Sequence, residues 1–550
     1  MELINQHTKQ IMEGCKQRAR AAGLRFQDES LEYLVTNRDL LELSPKMMIP
    51  TLYDYWVHDV EVLKEKGKYE LYPGNPYETV INTRPAISFY NDNNPDWLNV
   101  MIFYHVLAHI DFFQNNSFFR HTWDYDFTGQ ALSDKRTIDR LRNEKGRWVD
   151  YAIEFTRAID NLVGYHDALC RYNHSDGQGL SPRLDYYFDV FLQAVRHVKI
   201  GEYIKEVERY NVCLAEHRDL AEKVFFTEVE RLHPEFEAVY QKFREAKPLR
   251  RKDIVEFLID RSPFLNKEQN RWIKTVMQIV RKTSLFFQPQ IRTKIMNEGW
   301  ASYWHETLFL QDERIKGHEV DYARVNAGVT AMPRVGLNPY ALGMRLFAAI
   351  EEKADKGQYS IAFERIRDAH QRRTWDAGTG GGRDLIFSIR ENLCDAMFIN
   401  SFLDQDFMDR HRLFVVGRRL DKDRQVWQYY IKSRRAEDYR AMLADSLYHP
   451  PHITVQQAKA REGGLYLNHH FEGKPLVKDY IGGTMMGIEY LWGGPVELET
   501  SEVAAAPTPA ERGPMSAMWA AQYGEPEPGP MRWERVVYTM DRRKLSRRVI

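Results

Sequence analysis

The stretch Asn297-Glu298-Gly299-Trp300-Ala301-Ser302-Tyr303-Trp304-His305-Glu306-Thr307-Leu308 organises the reading of this chain. It reads as a helix. Glu298 and His305 stand seven apart, about two turns at ~3.6 residues per turn, so both project from one face with Ser302 between them. Gly299 and Ala301 keep the helix slim, so a neighbour can approach closely. Trp300, Tyr303 and Trp304 suit burial on the other faces. A buried carboxylate is costly unless it is paired or bound to a metal, so this face needs a partner.

The best candidate lies upstream, at His105-Val106-Leu107-Ala108-His109. Two imidazoles four apart again share one helical face. His-x-x-x-His on one helix plus a carboxylate from a second is the ligand arithmetic of a zinc site. The pattern is that of thermolysin-like peptidases with one change. Val106 stands where those enzymes carry the general-base Glu.

The chain has 550 residues, enough for two or three domains, and 43% hydrophobic and 13% aromatic content supply a large core. A net charge of -1 argues against nucleic acid or an anionic membrane surface as partner. Cys15, Cys170, Cys213 and Cys394 are scattered without a C-x-x-C pair, which excludes a disulfide framework or a cysteine-type zinc ribbon and fits a reducing cytosol. The start Met1 to Gln6 shows no secretion signal, and no window is apolar enough for a transmembrane helix. A cytoplasmic protein is expected.

Helical spacing runs from Ile4 through Ile11, Cys15 and Ala22 and continues at Leu31, Leu34 and Leu40 to Leu43, until Pro45 and Pro50 break it. Tyr72 to Pro76 is a turn cluster. Residues 78–83 and 86–90 are β-rich and interrupted by Pro85, so at least one is an edge strand whose free side can hold an extended peptide. Asp96 can cap the helix carrying His105 and His109. A run of charged amphipathic helices follows from about 134 to 285. The Gly378-Thr379-Gly380-Gly381-Gly382-Arg383 loop reads as a linker or lid, since it lacks a phosphate loop's Gly-Lys-Ser/Thr ending.

The fold class expected is therefore α+β. A mainly α-helical, metallopeptidase-like N-terminal domain spans 1–377, with a small β element near 78–90. A small C-terminal α/β domain spans 384–500. A Pro-rich tail over 501–550, with its basic run Arg542 to Arg548, is expected to be disordered and solvated.

The stretch 297–305 resembles the signature of the SpoVR family (stage V sporulation protein R and relatives). Similar segments occur at Thr79 to Pro85, His109 to Asn116, Leu337 to Gly343, Ile389 to Glu391, Gly464 to Leu467 and Leu491 to Val496. The resemblance covers roughly residues 20 to 500. It implies a cytoplasmic bacterial protein linked to peptidoglycan, in spore formers to the spore cortex. It also implies a PrkA-like serine kinase and a von Willebrand-type protein as partners. It does not supply a reaction.

The residues themselves point to one divalent metal held by His105, His109, Glu298 and His305. Zn is the simplest choice, with Fe, Mn or Ni allowed. The alternative is a buried His–Glu network that only fixes helix packing. Glu298 is either the general base, with His305 as third ligand, or itself a ligand, with the base elsewhere. Asp150 and Glu154 are candidates for that base, although both suit solvated helix charges. Asp111 points ~200° away from His109 and is not a ligand. Asn116 either holds a substrate amide or caps its helix. Tyr340 either donates to an oxyanion or packs after a Pro turn. Three classes stay open: an amide hydrolase acting on a peptidoglycan peptide or precursor, a non-catalytic regulator of cell-wall enzymes or of the kinase system, and a metal-dependent oxidoreductase. His469-His470 is expected at the surface, and Arg390, Glu391 and Asp395 in an interdomain ion network.

Overall fold

The structure is a computed structural model. It describes residues 2–27, 29–36, 39, 78–123, 127–164, 181–196, 198, 200–245, 252–421, 426–447, 450–471, 474–504 and 533–550. The expected breaks at Pro45 and Pro50 and the turn at 72–76 lie outside the described residues, as does the Pro-rich stretch 505–532. The chain divides into two compact units, Met1–Val163 with Ile254–Ile550, and Gly164–Asp253.

The first unit opens with β1 (Glu2–Leu3), α1 (Gln6–Ala21), β2 (Ser30–Val35), β3 (Glu78–Ile81) and β4 (Ala86–Asn91). Asn5 caps α1 by accepting from Thr8 N at 2.9 Å. The four strands form one sheet in the order β1-β2-β4-β3. Leu31 and Leu34, expected on a helix, sit instead on β2. Their three-residue spacing suits a helix, but a continuous parallel register from Ser30↔Ala86 to Val35↔Asn91 makes the segment a strand. β3 is an edge of this sheet, antiparallel to β4.

α2 (Asp96–Asn115) follows and is buried from Leu98 through Phe113 on every face. A helix apolar all round belongs in the centre of a core. Pro95, not Asp96, takes the cap position, and Asp96 supplies a carboxylate to the first turn. α3 (Arg271–Arg292) leads into α4 (Lys294–Phe309), the signature helix. α5 (Glu319–Thr330) and α6 (Pro339–Asp355) complete the surroundings of α2 and α4. α4 and α6 touch backbone to backbone. A Cβ on Gly299 would lie 2.4 Å from Gly343 Cα, and one on Gly343 would lie 2.1 Å from Ile295 O. The slimness expected of α4 is thus used by α6.

Further on come β5 (Val415–Asp421), β6 (Val426–Ser433), β7 (His452–Val455), β8 (Leu465–His470), α7 (Lys478–Trp492), β9 (Val496–Val503), β10 (Trp533–Asp541) and β11 (Lys544–Val549). β5 and β6 form a separate hairpin, and the others form a five-stranded sheet in the order β11-β10-β9-β8-β7. β8 and β9 are parallel, so α7 serves as their crossover.

Two expectations fail here. The last residues of the supposed disordered tail are strands. Val536, Tyr538 and Met540 alternate into a core shared with α7, α3 and the helices Trp148–Arg157 and Ile254–Arg261. Arg542 and Arg543 take φ of 50° and 63° in the tight β10–β11 turn, so part of the basic run makes a hairpin. The proline-rich composition upstream masked a period-two pattern. The expected boundary at 378–383 also does not separate two compact units. Gly382 N donates to Asp355 Oδ1 at 2.8 Å and the Thr379 hydroxyl to Ala354 O at 2.6 Å, so the loop is fastened to the end of α6. The unit that does separate, Gly164–Asp253, lies inside the expected helical run. It carries its own aromatic core of Tyr187, Phe191, Phe225, Phe226 and Phe236.

Candidate metal centre

α2 presents His105 and His109 on the face that meets α4. Both are buried, and their ring planes stand at 88° with centroids 4.6 Å apart. The Glu298 carboxylate reaches this pair, with Oε2 3.5 Å from His109 Nε2 and 4.0 Å from His105 Nε2. α4 is held at that depth by its own N-terminus, where Asp395 accepts from Ile295 N and Met296 N at 2.8 and 2.9 Å. Burial raises the Asp395 carboxyl to about 7 against those two donors.

Hydrogen-bond partners assign the tautomers of all three rings. Asn326, on α5, donates its amide to Glu306 Oε2 at 2.9 Å, so its carbonyl faces His305 Nε2 at 2.9 Å. His305 Nε2 therefore carries the proton, and His305 Nδ1 accepts. His105 Nδ1 lies 2.9 Å away and donates to it. On the other side, His109 Nδ1 donates to Asn297 Oδ1 at 2.9 Å. Both Nε2 atoms are left unprotonated, and they face each other at 3.1 Å. Two such lone pairs cannot bond to one another. A cation between them removes the repulsion. Two nitrogens each ~2.05 Å from a tetrahedral ion would lie ~3.3 Å apart, close to what is seen.

His105, His109 and Glu298 thus form a group whose ligand atoms all lie within 4.8 Å of one another, able to hold a metal ion. Burial, helped by His109 and His305, pushes the His105 imidazole well below its ordinary range. Burial also brings His305 down to about 4. Both rings are neutral at neutral pH, as ligation requires of His105 and as accepting a hydrogen bond at Nδ1 requires of His305.

The structure sorts the other candidates. His305 stands behind His105 and is not in the trio. Its Nδ1 is used by His105 and its Nε2 by Asn326, so it orients a ligand. Tyr340 stacks on His105 with centroids 6.1 Å apart at 14°, and its hydroxyl lies within electrostatic reach of Glu298. Burial, with Glu298 and then Glu78, pushes that phenol up. Asn116 is corrected to a structural role. Its amide donates to Arg390 O at 2.7 Å and Leu393 O at 3.0 Å, and its oxygen accepts from Phe118 N. Asp150 pairs with Arg142 and Glu154 with Arg157, both at the surface. Asp111 accepts from Arg25 N and Trp300 Nε1 and pairs with buried Arg390 at 3.3 Å. Arg390 and Asp395 therefore fasten α2 and α4 separately and do not share one ion network. Val106 is fully buried, so that position faces core.

A cavity of about 580 Å³ opens on His105, His305 and Tyr340. Its wall includes Glu78, the first residue of edge strand β3. Sequence reasoning missed Glu78, Asn297, Asn326 and Glu306. Asn297 was visible in the signature stretch, one residue before Glu298. Glu306 stood there too, one residue after His305, whereas no helical spacing flags Glu78 or Asn326, because they reach the site from separate elements.

The family description "SpoVR like protein" matches residues 2–449, and the chain belongs to the SpoVR family. It is 24% identical over 421 residues to the Escherichia coli (strain K12) protein described as "Uncharacterized protein YcgB", covering 74% of this chain and 73% of that one. No solved structure matches. The match stops short of β7, so the five-stranded sheet lies beyond it, although segments at 464–467 and 491–496 were expected inside. The α+β class holds, and among the described residues no helix is long and apolar enough to cross a membrane.

Proposed function

We propose that this SpoVR-family chain is a metallopeptidase-like hydrolase that uses one divalent ion, zinc by preference, to cleave an amide bond. The observation that carries this reading is the pair of Nε2 atoms 3.1 Å apart beside the Glu298 carboxylate, both assigned as unprotonated from the partners of the opposite ring nitrogens. Two imidazoles and one carboxylate leave a zinc ion room for water and substrate, as catalytic sites require. Glu298 acts as third ligand in this reading, because it belongs to the compact trio. Glu78 lines the cavity and lies near enough to bias Tyr340, which makes it, besides Glu298, the carboxylate among the described residues here to take a proton from water. Tyr340 donates to the developing oxyanion. The edge position of β3 among the described strands supports a peptide substrate lying beside it as an added strand. A peptidoglycan peptide or precursor in the cytoplasm fits that site, with a PrkA-like kinase and a von Willebrand-type protein as regulatory partners.

Burial of Val106, where a related peptidase would carry its base, favours a second reading: a regulator of cell-wall enzymes with a structural His–Glu cluster. Incubating the zinc-loaded protein with muropeptides and reading products by mass spectrometry separates the two. New termini that vanish in Glu78→Gln support hydrolysis. Intact muropeptides beside fully metallated protein support the regulator.

A further inference from the structure

A second cavity, of about 670 Å³, lies between α7, strands β8 and β9 and the helix Ala436–Ser446. It shares no lining residue with the cavity at His105. Its volume falls within the ~300–1,000 Å³ typical of small-molecule sites. Leu467, Leu498, Ile481, Met485 and Ile488 make it predominantly apolar. Its mouth is marked by Val477 and Tyr480, 59% and 71% exposed.

The polar groups are few and placed. Lys474, exposed at the rim, has Nζ 3.3 Å from Ala444 O, and no carboxylate is among the described lining residues. His469, expected at the surface, is buried, and its Nδ1 lies 2.8 Å from the Thr500 hydroxyl. The Asn161 and Thr484 side chains in the wall make no hydrogen bond among the described residues. An apolar cavity whose described lining carries one ammonium discriminates by charge as well as by shape.

We propose that this cavity binds a single-chain amphiphile with an anionic head, its tail among Leu467, Met485 and Ile488 and its head at Lys474. The site draws on both sides of the family boundary. Ala444 lies within the matched residues, and β8, α7 and β9 lie beyond them.

The test uses the full chain and cis-parinaric acid, a fluorescent eighteen-carbon carboxylate. Saturable fluorescence enhancement is expected, with dodecanoate competing at least tenfold better than dodecanol. Thr484→Trp fills the chamber from a half-exposed position and should weaken probe binding at least tenfold while zinc uptake is unchanged. Lys474→Met should remove the preference for acid over alcohol. Absence of saturable binding, binding indifferent to Thr484→Trp, or equal competition by the alcohol overturns the proposal. If Thr484→Trp does not fold, the wild-type melting temperature decides. A rise with dodecanoate and none with dodecanol supports it, and no rise with dodecanoate overturns it.

Discussion

At the scale of single residues, the centre depends on side chains that touch no ligand position. Asn326 holds one tautomer of His305, and His305 in turn holds His105. Losing His305, the outer partner of the ligand His105, should lower zinc affinity about 10–100-fold, and Asn326→Ala, which frees His305, should lower it in the same direction with an unchanged circular dichroism spectrum. Unchanged affinity would remove Asn326 from the account. A second residue-scale prediction concerns Asp312, which accepts from Tyr104 Oη at 2.7 Å and pairs with Arg314 at 2.6 Å. Burial pushes its carboxyl up, but the Arg314 and Tyr104 hydrogen bonds outweigh burial and hold it at about 2. The folded value lies below the ~3.9 of an unfolded Asp, so its stabilisation is present above that pH and is lost as pH falls towards 2. Asp312→Asn should cost on the order of 2 kcal/mol at pH 7, with a smaller difference from wild type at pH 3 in urea titrations. His105, His109 and Glu298 were legible because same-face spacing is a local property. The tautomer relay was not, because Asn326 arrives from another helix.

Among elements, the decisive contact is α4 on α6. Gly343→Ala puts a Cβ 2.1 Å from Ile295 O, a backbone atom that cannot step aside. Overpacking of this kind typically costs about 1–3 kcal/mol. Because α4 carries Glu298 and α6 carries Tyr340, the substitution should also weaken zinc binding. A Gly343→Ala protein with wild-type denaturation midpoint and wild-type zinc affinity would contradict the close approach. The sequence foretold a slim α4 from Gly299 and Ala301, but not which helix would use it. β2 was misread for a related reason. Its Leu31 and Leu34 fit a helix locally, and only the pairing with β4 shows the strand.

For the whole molecule, the C-terminal strands belong to a core built also from helices far upstream. A chain ending at residue 504 would lose Val536, Tyr538 and Met540 from that core, leaving β9 as an uncovered edge. It should aggregate or melt well below the full chain. Equal melting temperatures would show that β10 and β11 add nothing. Composition hid this, since the prolines and glutamates before residue 533 dominate the tail. The unit Gly164–Asp253 was hidden differently. Its helices have the same amphipathic pattern as their neighbours, and only the self-contained aromatic core separates them.

The central claim is that His105, His109 and Glu298 hold one metal ion. Its most direct measurement is calorimetric titration of zinc into chelator-stripped full-length protein, alongside His109→Ala. The account predicts one ion per chain for the wild type and loss of that binding in His109→Ala, with the fold retained by circular dichroism. Wild-type protein that takes up no stoichiometric zinc, or a His109→Ala protein that binds it equally well, would contradict the account.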